Sequence, residues 1–221
     1  SMDLDTSSPS WELILTAANA ISLSGDTVYR FPYKVMGSIN VDQYLAFFAC
    51  GDQPIPTEYP LYCFRTNDSR STSPTWSVST VSAAINTSFS AQGWRGGSDI
   101  VPHPNSFGSL TLYTVASIHT GSINRAVYCY RSIDAGATWT NVGTVIANGS
   151  TNKSGFSIHS PYNNNDDGNL LYCSAYSDTA ALRSHYKSTN GGATWTNMTS
   201  GTYSQIHRWG AETYTLDSQR V

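Results

Sequence analysis

Ser132-Ile-Asp134-Ala-Gly136-Ala-Thr138-Trp139 and Ser188-Thr-Asn190-Gly-Gly192-Ala-Thr194-Trp195 are two copies of one octamer, with the shared frame S-x-[DN]-x-G-x-T-W. A looser copy reads Ser69-Arg-Ser71-Thr-Ser73-Pro-Thr75-Trp76, and a vestige reads Ser8-Pro-Ser10-Trp11. The four tryptophans recur about every 60 residues, a period that belongs to repeat architectures. The frame spells a tight turn. Its Asp or Asn bonds backbone N–H groups just downstream, and its Gly supplies positive φ. Thr-Trp then opens a strand, leaving the indole to pack under the turn. Such a turn is a device of the fold and not an active site.

Between the turns run β-branched and aromatic stretches cut by Gly, Asn, Asp and Pro. Before Trp76 come VYRFPYKVM, QYLAFFAC and PLYCFRT; before Trp139, SDIVPHP, LTLYTVAS and AVYCYRS; before Trp195, FSIHSP, NLLYCSAYS and LRSHYKS. Each tryptophan opens one more: WELILTA, WSVSTVS, WTNVGTVI and WTNMTS. No segment has a helical period. Four strands per repeat predict an all-β fold, a β-propeller of four-stranded antiparallel blades. The chain opens on a fourth strand at Trp11, runs through three whole blades and enters a new first strand near Gly210–Val221. It is thus part of a single propeller domain spanning 1–221, about three and a half blades, with Ser1-Met2 an appended start. Ring closure needs the remaining blades from the same polypeptide or from another chain, such as a second copy in a homo-oligomer.

Composition narrows the partners. Charged residues are only 12% of the 221, the net charge is −3, and aromatics reach 12% with 14 Tyr and 6 Trp. A basic footprint for nucleic acid is missing, as is a Lys/Arg run that could dock on an anionic membrane. No apolar stretch approaches the roughly 20 residues that span a bilayer. Residues 1–20 contain no basic start followed by an apolar run, so they do not read as a signal peptide. The four cysteines, Cys50, Cys63, Cys129 and Cys173, form no CxxC and sit in apolar runs, which predicts buried thiols. His103, His119, His159, His185 and His207 lack metal-ligand spacing. No metal or organic cofactor is implied.

The octamer resembles the Asp-box of sialidases (neuraminidases). Tyr29-Arg30-Phe31-Pro32 resembles that family's [FY]-R-I-P motif, with Phe in place of Ile, and Tyr44–Ala49 resembles the LLAFAE-like strand that follows it. The resemblance covers about residues 28–216 and implies a propeller that is six-bladed when complete. It implies that Arg30 is the first arginine of the triad gripping a sialic acid carboxylate. Asp52, on the loop after the second strand, stands for the general acid. Asp99 stands for the aspartate contacting a sugar hydroxyl. Glu212, in Gly210-Ala-Glu212-Thr213, stands for the glutamate that partners the catalytic tyrosine, with Thr where Pro is common. The family's two later arginines and its tyrosine nucleophile have no counterpart here beyond Arg220 as a weak candidate. His159 is placed on the pocket side as a substrate contact. Arg30, Asp99, Ser157/His159 and Glu212 are expected near the starts of successive first strands, where they would converge on the propeller axis. The guanidinium fork suits a carboxylate as Lys cannot.

The resemblance implies an exo-acting glycoside hydrolase that removes terminal sialic acid from sialylated glycans, secreted or on a virion or other extracellular surface. The rivals are a non-catalytic glycan-binding propeller of the phage-tail or surface-receptor kind, a phage-type endosialidase, and an assembly scaffold. Trp94-Arg95 and His207-Arg208-Trp209 are either sugar-stacking loops or ordinary connections. The sequons at Asn67, Asn86, Asn148, Asn152 and Asn197 matter only if the chain is secreted.

Overall fold

The computed structural model describes residues 19, 23, 27–30, 35–37, 44–52, 60–69, 71–82, 101–102, 110–120, 124–147, 153–159, 169–177 and 182–198. Its strands form three antiparallel sheets in chain order. The first holds β1 (Thr27–Arg30), β2 (Val35–Gly37), β3 (Leu45–Asp52), β4 (Leu61–Thr66) and β5 (Ser77–Ser82). The second holds β6 (Val101–Pro102), β7 (Leu112–Thr120), β8 (Asn124–Ser132) and β9 (Thr140–Ile146). The third holds β10 (Lys153–His159), β11 (Leu171–Ser177), β12 (Leu182–Ser188) and β13 (Thr196–Asn197). The second and third are meanders of sequence neighbours, while in the first β1 and β2 both pair with β3. The all-β expectation therefore stands, and every described run named above contains a strand; WELILTA lies outside the described residues. Asn19 and Leu23 have helical backbone, which the strand pattern did not foresee.

One predicted strand is split. β1 pairs with Cys50–Asp52 and β2 with Leu45–Phe47, so the two lie end to end along the edge of β3 that β4 leaves free. Pro32 stands between them and has no N–H to give a ladder.

The ladders fix an exact correspondence between the sheets. Leu45 pairs with Thr66, Leu112 with Ser132 and Leu171 with Ser188. Two residues along, Phe47 pairs with Phe64, Thr114 with Tyr130 and Cys173 with Tyr186. Thr66, Ser132 and Ser188 each close a third strand and begin a turn, so the turns recur at one register position. In the second, Ser132 Oγ accepts from Gly136 N (2.8 Å) and donates to Asp134 Oδ1 (2.7 Å). Asp134 in turn accepts from Thr138 N (2.8 Å) and Thr138 Oγ1 (2.6 Å). In the third, Ser188 Oγ accepts from Gly192 N (2.9 Å), and Asn190 Oδ1 accepts from Thr194 N (2.9 Å). Gly136 and Gly192 have φ of 83° and 87°, as the frame required. Burial opposes ionisation of Asp134, but the hydrogen bonds from Thr138, Ser132 and Ala137 outweigh it and hold the carboxyl below its usual range.

The first turn corrects the sequence alignment. Its working residues are Thr66 and Asp68, not Ser69 and Ser71. Thr66 Oγ1 donates to Asp68 Oδ1, and Thr75 N donates to both Asp68 oxygens (2.9 and 3.1 Å). Asp68 lies seven residues before Thr75, whereas Asp134 lies four before Thr138. Three extra residues stretch the loop, and the frame's Gly is lost. Thr66 is the first cause of Asp68's lowered pKa.

Each later turn docks on the sheet before it. Tyr44 Oη donates to Ala135 O (2.7 Å), while Arg65 Nη1 (3.0 Å) and Ser79 Oγ (2.5 Å) both donate to Gly136 O. Trp139 Nε1 donates to Gly136 O (3.1 Å) and Ser79 Oγ (3.2 Å), and its ring meets Phe48 edge-on at 5.5 Å. The third turn repeats this on the second sheet, with Trp195 against the cluster of Tyr113, Val115, Val127, Cys129, Val145, Ile158, Leu171 and Cys173. A Cβ on Gly136 would lie 3.2 Å from Cys63 Sγ, and one on Gly192 only 2.8 Å from Cys129 Sγ. Cys63, Cys129 and Cys173 are buried and free, as expected. Burial pushes the Cys63 thiol up to about 12. On its other face, the first sheet gathers Phe47, Tyr62, Phe64 and Trp76, with Phe47 and Phe64 stacked at 5.0 Å.

Candidate functional site

Arg30 closes β1, directly opposite Cys50; Asp52, expected on the loop after the strand, is instead the last residue of β3 and pairs with Thr27. The ladder shifts register between Val28 and Arg30, leaving Tyr29 as the extra residue of a bulge. Asp52 is thus two residues past the partner of Arg30, about 7 Å of strand at the usual rise. The backbone puts this guanidinium-bearing residue and this carboxylate-bearing residue on adjacent strands, at opposite ends of the short β1–β3 ladder. A bulge there changes which face successive residues occupy, as such irregularities do beside functional sites.

His159 does not share that level. It closes β10 opposite Tyr172. Tyr172 pairs with Lys187 as Ala46 pairs with Arg65 and Tyr113 with Arg131. His159 therefore matches Met36, which faces Ala46, and Val101, which faces Tyr113. Cys50, the partner of Arg30, is four residues beyond Ala46, roughly 13 Å along the strand. The register match of Arg30 in the third sheet is Ser154, opposite Tyr176. The expectation that Arg30 and His159 both open their strands at one level is corrected: each closes its strand, and the two stand at different heights. Asp99 and Glu212 lie outside the described residues, as do Arg220, Trp94-Arg95 and His207–Trp209.

A polar pair in the third sheet went unnoticed in the sequence. Ser174 Oγ and His185 Nδ1 are 3.1 Å apart. Ser174 and His185 face each other across β11 and β12, where the first sheet has Phe48 opposite Cys63 and the second Val115 opposite Cys129. Aligning the repeats on their turn serines would have exposed the exchange, since His185 and Cys129 each lie three residues ahead of the turn. Ser174 is buried and His185 exposed, so the serine hydroxyl is withdrawn from solvent. Beside the pair, Lys187 Nζ lies 5.8 Å from the Tyr172 ring centroid.

Among the described residues, no group of three or more His, Cys, Asp or Glu could hold a metal ion. No helix among them is long and apolar enough to cross a membrane. In comparison with known proteins, no family model matches the chain, and no curated protein matches it.

Proposed function

We propose that the chain is part of a sialidase-like β-propeller that hydrolyses terminal sialic acid from glycans. One observation carries the reading: the arginine of an R-x-P motif and the carboxylate residue Asp52 lie on adjacent paired strands, two ladder positions apart, in the first of three sheets, and the next two sheets carry Asp-box-like turns. Arg30 binds the sialic acid carboxylate through a bidentate, charge-assisted fork. Asp52 donates a proton to the departing glycosidic oxygen as general acid. Asp99 orients the ring through a hydroxyl, and Glu212 polarises a tyrosine nucleophile supplied by further sequence or another chain. Sialidases use tyrosine in place of the carboxylate nucleophile of most glycosidases.

The test is release of the fluorophore from a fluorogenic sialoside, alongside direct binding of a sialylated oligosaccharide. Turnover that Asp52→Asn abolishes while binding survives supports the hydrolase. Binding that depends on Arg30 without turnover assigns the chain to a glycan-binding propeller. Absence of both overturns the reading.

A further inference from the structure

The sequence has two Asn-Gly pairs, Asn148-Gly149 and Asn190-Gly191. Without a Cβ on the second residue, its backbone nitrogen can reach the asparagine Cγ, so this dipeptide is chemically labile. Asn190 is exposed at the tip of the third turn, open to water. Both ends of the reaction are nevertheless engaged. Gly191 N, the attacking atom, donates to Asn169 O at 2.9 Å. The Asn190 amide accepts from Thr194 N (2.9 Å) and Ser188 Oγ (3.0 Å) and donates to Thr194 Oγ1 (2.8 Å).

We propose that Asn190 is a deamidation site, held unreactive while its turn stays docked. The Gly191 nitrogen loses its proton to solvent base and bonds to Asn190 Cγ. The Cγ–Nδ2 bond breaks, ammonia leaves and a succinimide ring remains. Water opens the ring at either carbonyl, giving aspartate or isoaspartate. The two products have opposite consequences here. Aspartate reproduces Asp134, which occupies the same place in the second turn and accepts from Thr138 N and Thr138 Oγ1. Isoaspartate routes the main chain through the side chain and adds a carbon ahead of Gly191. Gly192 has no room for that shift, because even a Cβ there would sit 2.8 Å from Cys129 Sγ and 3.3 Å from Val142 Cγ2. The isoaspartyl form therefore lifts the turn from the second sheet and uncovers Cys129.

The experiment ages the full chain in mildly alkaline buffer, folded and in denaturant, and maps both Asn-Gly peptides by mass with isoaspartate detection. The denatured chain converts at Asn190 and Asn148 at similar rates. In the folded chain Asn190 converts at least about tenfold more slowly, because opening the turn must come first. Its isoaspartyl fraction labels faster at Cys129. Gly191→Ala slows conversion at Asn190 in denaturant at least about tenfold, because its Cβ hinders the attack, while keeping the fold, since Ala135 holds the matching position at φ 54°. Equal rates for Asn190 in folded and denatured chains overturn the proposal. So does a denatured chain that converts at Asn148 and not at Asn190, or unchanged conversion in Gly191→Ala.

Discussion

Among the described glycines, Gly143 has the least room for a side chain. A Cβ there would lie 2.2 Å from Gly192 O, 2.6 Å from Ala193 O and 2.9 Å from Ala193 C. All three are backbone atoms of the third turn, so no side chain can swing away to relieve the clash. Gly143→Ala must push the turn off the second sheet by about 1 Å, and at that gap dispersion contacts lose a quarter to a half of their depth. Sliding sideways is blocked, because Gly192 already sits close to Cys129 Sγ and Leu171 Cδ1. The cost is that of overpacking at the upper end, about 3 kcal/mol. In a chain of this size that lowers Tm by roughly 6–12 °C. Thermal denaturation measures the fall, and thiol labelling locates it: Cys129 becomes more reactive while Cys63, under the other turn, does not. The first sheet supplies the comparison, since Ser79 faces Cys63 as Gly143 faces Cys129. Ser79 has a Cβ at this position and uses its hydroxyl to donate to Gly136 O and accept from Trp139 Nε1, so Ser79→Gly loses two bonds, about 1 kcal/mol each, without any clash. A Gly143→Ala protein melting within about 2 °C of the parent, with Cys129 no more reactive, would refute the reasoning.

Asp134 should make stability depend on pH. Its folded pKa is depressed, so its contribution is present above the unfolded value near 4 and fades as pH falls through the lower folded value; the Tm difference between parent and Asp134→Asn should shrink to nothing in acid. Arg30→Ala should weaken binding of a sialylated oligosaccharide about a hundredfold, roughly 3 kcal/mol, and Arg30→Lys should recover only part of that; calorimetric titration checks both. Asp52→Asn should lower kcat on a fluorogenic sialoside with KM little changed. Cys63 should resist alkylation at neutral pH until the protein is denatured, because burial keeps its thiol protonated.

The sheets were readable because the turns are local. Ser132, Asp134, Gly136 and Thr138 bond to one another within a few residues, so spacing alone announces them. The first turn escaped the same reading for a physical reason: Asp68 reaches Thr75 across a longer loop, and a hydrogen bond constrains where two groups meet but not how many residues lie between. Likewise VYRFPYKVM reads as one strand, since strand propensity does not register that the five-residue step from Arg30 to Val35 faces a three-residue step from Phe47 to Cys50. The candidate site was legible only in part. Arg30 and Asp52 could be assigned to neighbouring strands of the first sheet from their order in the chain. The height of His159 could not, because the register of β10 depends on a bulge at Phe156, which shifts every later residue by one place.

The docking chemistry also changes along the chain. On the first sheet a turn is received by Phe48, Cys63, Arg65 and Ser79; on the second, by Val115, Cys129, Arg131 and Gly143. The same register positions on the third sheet hold Ser174, His185 and Lys187. The apolar pair beneath the turn glycine has become a hydrogen-bonded Ser–His pair, and the arginine whose counterpart Arg65 reaches Gly136 O has become a lysine, which has one donor head in place of a fork. A further turn seated there in the same way would set its glycine on an imidazole instead of a small buried thiol. Burying that imidazole beneath a turn would strip it of water and penalise its charged form. A turn seated on the third sheet in the same way would therefore meet different contacts from those of the first two interfaces.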